Sequence, residues 1–345
     1  MPEPGQPLRR LGFLTIGRFD EAAPGPGHEK TLQTIERAEG LGFDTVWVRQ
    51  RHLQAGISSP VAMLAAASQR TSRIELGTAV IPLGLENPLR LAEDLATVDI
   101  LSGGRLNPGV SVGVPMHYDN YRTALYPDTH DVEDFTKKRA ERLLDYLRGE
   151  PVSDFEGTIG IEQFSRRVQP HSPGLAGRVW YGGGLSSAIW AGKNRLNYLT
   201  SNVVSTEHRE GDGPWDFATI QAEQIDAFRA HHPDPSTARV SQGLVVIPTD
   251  SATAEQIGRY RRYAEARLPR TGQTHGPRGM VFSPDFVGSS DELAEKLYAH
   301  PGFRRVDEVA FALPFSFDAD DYLQIITDLA EKLGPKLGWT PAPIG

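Results

Sequence analysis

Along the chain, short apolar runs alternate with segments whose apolar residues fall at helical spacing. Leu11–Ile16 (LGFLTI) is the first run and reads as a strand buried on both faces. In His28–Leu41 the residues Leu32, Ile35, Ala38 and Leu41 recur at helical spacing, and Gly40 and Gly42 mark the end. Phe43–Val48 is a second strand. Ser59-Pro60, a cap followed by a first-turn proline, opens an alanine-rich helix. Ile74–Ile81 is a third strand. Asn87-Pro88 repeats the cap-and-proline device, and Gly103-Gly104 closes the helix it starts. Leu106–Gly113 (LNPGVSVG) reads as a fourth strand.

The rhythm breaks between Val114 and Gly177. This stretch is polar and rich in Tyr, His, Asp and Pro up to His130; a helix is then expected over Val132–Arg148, followed by a hairpin-like excursion in EGTIGIEQFSRRVQP. It has too few apolar residues for a core of its own, so it reads as an insertion. The alternation resumes with strands at Arg178–Tyr181, Leu196–Val203, Val240–Ile247 and Val309–Leu313. Helices are expected at Leu185–Lys193, around Ile220–Ala230, at Ala254–Arg267 and at Tyr322–Leu333. Ser289–Glu292 resembles a capping box leading one more helix. Thr271–Gly288, rich in Gly and Pro, is expected to be loop.

Eight strands, each followed by a helix, make the pattern of a (β/α)8 TIM barrel. Residues 1–345 are therefore expected to form one barrel domain, with residues 114–177 inserted after strand four. A doubly wound open sheet is the rival, but it would place a glycine-rich turn after its first strand, and no GxGxxG occurs.

Composition narrows the chemistry. With no cysteine in 345 residues, thiolate nucleophiles, iron–sulfur clusters and cysteine-bound zinc are excluded. A net charge of −8 argues against a nucleic-acid binder. There is no apolar run long enough to span a membrane and no apolar signal segment in MPEPGQPLRR, so the cytoplasm is the expected compartment. No HExxH, G-x-S-x-G or strand-end lysine points to a metalloprotease, a serine hydrolase or a Schiff-base enzyme.

In such a barrel the active site lies at the C-terminal strand ends. After strand two comes RQRHL. His52 is read there either as a proton donor beside a bound ring or as a hydrogen-bonding loop histidine. Strand three ends in small residues around Ala79 and Val80, which admit a flat ligand or simply pack tightly. After strand five, Tyr181 is followed by Gly182-Gly183-Gly184-Leu185-Ser186-Ser187. A glycine turn with hydroxyls at a helix start is either an anion cradle suited to phosphate or a flexible capped turn.

Taken together, ERAEGLGFDTVWV with the following RQRHL, then RIELGTAVIPLGLENPLRLAEDLATVDILSGGRLNPGV, then GGGLSSAIWAGK and LNYLTSN resemble the luciferase-like monooxygenases. The resemblance covers residues 11–114 and 178–203 and weakens in the last third. It implies a homodimer binding FMN or, in some branches, the deazaflavin F420. It implies a cis peptide between Ala79 and Val80 under the flavin ring. The phosphate would rest on Gly183, Gly184, Ser186 and Ser187, with Ser111 and Gly113 lining the fourth-strand end. Two positions depart from bacterial luciferase. Its histidine pair after strand two reads Arg51-His52 here, and its phosphate-binding arginine on strand four is Val112; both argue against light emission.

The function implied is a two-component monooxygenase. Reduced FMN supplied by a separate reductase, together with O2, would oxygenate a small, hydrophobic organic substrate. His52 would be catalytic, while His117, Tyr118 and Tyr121 would line the substrate side or remain surface loop residues. The insertion and Thr271–Gly288 would be lids. The alternatives are an F420-dependent dehydrogenase on the same barrel, a non-catalytic flavin-binding protein and a flavin-free barrel enzyme such as a lyase.

Overall fold

The computed structural model describes residues 6–207, 215–276 and 278–343. Half of the N-terminal segment, part of the loop expected after strand six, and Pro277 in Thr271–Gly288 lie outside the described residues.

The strand positions are β1 Arg10–Thr15, β2 Thr45–Val48, β3 Glu75–Thr78 continued by Ile81–Pro82, β4 Leu106–Asn107 continued by Gly109–Ser111, β5 Trp180–Gly182, β6 Asn197–Thr200, β7 Val240–Leu244 and β8 Glu308–Ala312. Each pairs in parallel with the next: Phe13 with Val46, Val46 with Leu76, Leu76 with Leu106, Val110 with Tyr181, Tyr181 with Tyr198, Tyr198 with Val240 and Gly243 with Ala310. β8 pairs back onto β1, Val309 beside Leu11. This is a TIM-barrel-like arrangement, with the apolar strands covered on both faces.

Several strands are shorter than their apolar runs. The third breaks at Ala79–Val80, where the peptide is cis, as the family resemblance implies. The fourth breaks at Pro108, which has no N–H for the ladder. The Thr78 hydroxyl bridges the gap by donating to Gly109 O and accepting from Gly109 N, each at 2.8 Å. The sixth and seventh runs stop early for another reason. Val203–Ser205 leaves the ring to pair antiparallel with Met280–Phe282, and Val246–Pro248 pairs with Phe286–Gly288. Thr271–Gly288 is therefore not simple loop. Its apolar Met280-Val281-Phe282 and Phe286-Val287 find strand edges, and the buried Asp285 carboxylate anchors it to Arg267 and Arg270.

The helices are α1 Pro24–Gly40, α2 Pro60–Ser68, α3 Pro88–Leu101, α4 Lys137–Arg148, α5 Leu185–Lys193, α6 Phe217–His231, α7 Ala254–Arg267, α8 Ser290–Ala299 and α9 Ala319–Asp328. Asn87 caps α3 by accepting from Leu89 N and Arg90 N, whereas Ser59 makes no side-chain cap ahead of α2. Thr253 and Ser289 both complete capping boxes. The helix expected from Val132 begins at Lys137, because the Thr136 hydroxyl accepts from Lys138 N and sets the start there. α4 buries Ala140, Leu143, Leu144 and Leu147 in the same core as Leu91 and Leu95 of α3. Within 114–177 it packs on α3, and the same stretch carries the hairpin Gly157–Ile159/Glu162–Phe164. Among the described residues no helix is long and apolar enough to cross a membrane.

Inside the ring the side chains form levels. At the N-terminal ends, Arg239 reaches Glu75 (3.0 Å) and Glu308 (2.8 Å), and Arg10 reaches Glu75 (2.8 Å). Burial raises the Glu308 carboxyl while Arg239 and Arg10 pull it down. Above them Trp47 and Trp180 cross edge to face, centroids 5.2 Å apart. Gly77 makes that crossing possible, since a Cβ there would lie 2.3 Å from Trp47 Cε3. Gly77→Ala should therefore overpack the interior and lower stability by about 1–3 kcal/mol, read as a fall in the thermal unfolding midpoint. An unchanged midpoint would show that the indole has room to move.

Candidate functional site

Above the tryptophans the C-terminal strand ends form a shallow apolar floor. Leu199 and Ala310 complete the buried cluster, and Leu14, Ala79 and Val80 pack on it. Ala79 and Val80 are half-buried, so one face of each stays available. The opposite wall is backbone: a Cβ on Gly182 would lie 3.0 Å from Val80 Cγ1. Small side chains on a rigid aromatic base let a flat group lie close to the main chain.

The turn after β5 borders this floor. Gly183 takes φ +149°, a backbone state that favours glycine, and Gly184 leads into α5. The first-turn N–H groups of a helix lack intrahelical partners and attract anions. Here one is already used: Ser186 N donates to Glu207 Oε2 at 3.3 Å. A Cβ on Gly184 would meet Ser205 Oγ at 2.3 Å and Glu207 Oε2 at 2.9 Å. The turn thus has the chemistry of an anion cradle, and its present occupant is a carboxylate of this chain. Ser187 flanks it, with Oγ 2.5 Å from a Cβ placed on Gly183. Tyr198 OH donates to Gly183 O at 2.7 Å and steadies the turn; burial, with Glu207 nearby, raises that phenol.

Val112 leaves strand four without an arginine, but cations arrive from elsewhere. Lys137, the first residue of α4, donates from Nζ to Ser186 O at 3.1 Å and lies over the Trp190 ring. Arg278 donates from Nη2 to Val114 O at 3.0 Å, and a Cβ on Gly113 would lie 3.9 Å from that nitrogen. Ser111 and Gly113 are half-buried beside it. Sequence reasoning missed both cations. Lys137 carried a local signal, the Thr136 cap ahead of a basic first turn; Arg278 reaches β4 only through the fold.

At the end of β2, the Gln50 amide nitrogen lies 2.9 Å from His52 Nε2 and 2.8 Å from Glu86 Oε1. Because that nitrogen donates, His52 Nε2 accepts, and the ring proton sits on Nδ1. Burial lowers the His52 pKa and raises that of Glu86. His52 stands 6.3 Å from Tyr121, the rings nearly parallel at 28°. Both line a pocket of about 690 Å3 together with Phe19 and Leu125. Tyr118 is buried beneath, donating to His130 O and packing against Tyr121 and Phe135. His117 is exposed on a turn with φ +58° and does not line that pocket. The structure brings His52 and Tyr121 together, gives Tyr118 a supporting place and leaves His117 outside. Gln50, between two arginines in sequence, was not foreseen.

The profile described as luciferase-like monooxygenase matches residues 10–211. A 4-hydroxyprotoasukamycin monooxygenase of Streptomyces nodosus subsp. asukaensis is 38% identical over 158 residues, 43% of this chain and 40% of its own. An F420-dependent glucose-6-phosphate dehydrogenase of Kineococcus radiotolerans is 32% identical over 160 residues, 44% of each chain. This chain thus spans less than half the length of these curated relatives. The oxygenating constituent of 3,6-diketocamphane monooxygenase from Pseudomonas putida, a type II Baeyer–Villiger monooxygenase solved with FMN, superposes with a TM-score of 0.63. It does so over 95% of this chain and 98% of its own at 16% identity, a likeness of fold.

The Gln50 contact has a measurable consequence. The carbon-bound proton of the His52 ring, followed by NMR, should titrate with a midpoint below the ordinary 6.5. Protonation then places a second N–H against the Gln50 donor. A midpoint at or above 6.5 would contradict a buried ring that accepts at Nε2.

Proposed function

The chain belongs to the luciferase-like monooxygenase family, and on that basis we propose that it is a flavin-dependent monooxygenase acting on a small organic substrate. On this reading residues 1–345 are one (β/α)8 barrel with residues 114–177 inserted after β4. The protein works as a homodimer and takes reduced FMN from a separate reductase. The observation that carries the reading is the pairing of an apolar floor at Ala79–Val80 with an anion cradle at Gly183–Ser187 on one rim. A flavin mononucleotide has a flat ring at one end and a phosphate at the other. The similarity to oxygenases, one solved with FMN, supports the same view.

The residues fit that group at the ring end and are contested at the phosphate end, where Glu207 holds Ser186 N–H. Ser186 N–H, the Ser187 hydroxyl and Lys137 would hold the phosphate once Glu207 turns away, with Arg278 approaching from the β4 side. When bound, reduced flavin supplies electrons and the activation of O2. The protein supplies position and dryness. Trp47 and Trp180 close the barrel from below, and the strands of 271–288 and the insertion flank the mouth from above. His52, neutral at physiological pH, presents Nδ1–H to whatever lies against it while Gln50 fixes its ring.

A second reading has its own support. Similarity to an F420-dependent dehydrogenase favours hydride transfer on the same floor without O2. Binding of FMN and of F420, measured side by side, separates the two. With a flavin reductase and an organic substrate, the oxygenase should consume O2 and yield oxygenated product. O2-independent reduction of F420 would replace the proposal with the second reading.

The cradle yields a further prediction. Glu207→Gln should tighten FMN binding roughly tenfold and Lys137→Ala should weaken it by a similar factor, the scale of one charge-assisted contact. Fluorescence quenching of FMN measures both. Unaltered affinity in both variants would mean that the phosphate lies elsewhere.

A further inference from the structure

Among the described residues, two arginines at the mouth have no counter-charge. Along β2, Arg49 follows the inward-facing Trp47 by two residues, so it projects to the same side, up into the mouth. Its own N–H still bonds Thr15 O at 3.0 Å, which keeps it in the strand register. Arg51 is held two residues later by its N–H to Ile57 O at 2.7 Å. The two guanidinium groups lie 5.8 and 5.3 Å from the centre of the Phe315 ring, just beyond β8. Both side chains are only partly open to solvent. Among the described residues, neither guanidinium has an ion-pair or hydrogen-bond partner, and Arg51 Nε is buried without an acceptor. Burial, with Arg51 as a like charge beside it, pulls Arg49 down to about 10, and burial lowers Arg51. A guanidinium stays charged at neutral pH.

Buried charges are ordinarily paired, and this chain has acids to spare, with 44 Asp and Glu against 36 Lys and Arg. Other arginines shielded from solvent find partners: Arg139 pairs with Glu133, Arg239 with Glu308, and Arg105 donates to the Thr71 hydroxyl and to backbone carbonyls. Two adjacent exceptions sharing one aromatic platform have the form of a receptor for an anion. Their direction separates them from the cofactor end. The strand order around the ring is β8, β1, β2, β3, so by reaching Phe315 they lean across β1, away from Ala79–Val80 on β3 and from the β5 turn.

We propose that Arg49 and Arg51 form an oxyanion clamp, and that the organic substrate carries a carboxylate, phosphate or similar oxyanion held there. This rests on the reading of the mouth as the site of turnover. It amends the expectation of a purely hydrophobic substrate: the apolar floor takes the body of the molecule and the clamp its charged end.

The test is calorimetric titration of the whole protein with benzoate and phenylphosphonate, against neutral benzamide. Wild type, Arg49→Gln and Arg51→Gln are compared, with FMN affinity measured on each. The expected result is that wild type binds at least one anion and prefers it to benzamide by tenfold or more, and that either variant abolishes the preference while keeping FMN affinity. Since each variant removes an uncompensated charge, its thermal midpoint should match or exceed wild type. Two results would overturn the clamp: no preference for either anion in wild type, which needs no variant to read, or loss of FMN affinity with anion binding intact. Arginine-dependent anion binding by a protein that ignores both FMN and F420 would support the clamp and remove the flavin reading instead.

Discussion

Two indole rings crossing at 5.2 Å inside the strand ring set the height of everything above them. Trp47 and Trp180 fill the middle of the barrel, and they do so because Gly77 carries no side chain. Below them the ring is closed by arginines and glutamates; above them lie Leu14, Leu199 and Ala310 and the small residues Ala79, Val80 and Gly182. The result is a mouth with a rigid floor and a rim made of strand ends. Each rim position inherits its direction from strand alternation, which is why Arg49 rises into the mouth directly above Trp47.

The rim is electrostatically divided. On the β5 side, a helix start and its glycine turn hold Glu207, with Lys137 beside them. On the β2 side, Arg49 and Arg51 have no acid at all among the described residues. Between them, Gln50 spans Glu86 and His52 and fixes a neutral imidazole. On the proposed reading a mononucleotide occupies the β3–β5 arc and an organic anion the β1–β2 side, with His52 on the substrate's flank. The self-held cradle and the empty-handed arginines are complementary. On that reading one end of the rim is quiet until a stronger anion displaces its own carboxylate, and the other waits for a partner.

Where structure follows from local chemistry, the sequence was easily read. Leu185–Lys193 and Ala254–Arg267 form helices with the bounds expected, because the Gly183-Gly184 turn and Thr253 define their starts. Strand ends were harder. Apolar runs continue through Pro108 and past Thr200, so hydrophobicity alone does not show where a ladder loses a donor or where a segment turns to another partner. The Thr136 cap outweighed the apolar Val132 and Phe135 in setting the start of α4. At the rim, Ala79, Val80 and the glycine–serine turn stood out in the sequence because small residues in a strand–turn–helix order are a local pattern. Glu207, Arg278 and the unpaired state of Arg49 did not. Each depends on residues far apart in the chain, and a missing counter-ion leaves no mark in sequence.

If one rim holds both ends of a flavin mononucleotide, a crystal structure of the protein soaked in FMN should show it. The ring is expected against Ala79 and Val80, the phosphate on Ser186 N–H with Glu207 swung out, and the Arg49–Arg51 side left free. Density for FMN over Phe315, or a β5 turn still closed by Glu207 at saturating FMN, would contradict that arrangement.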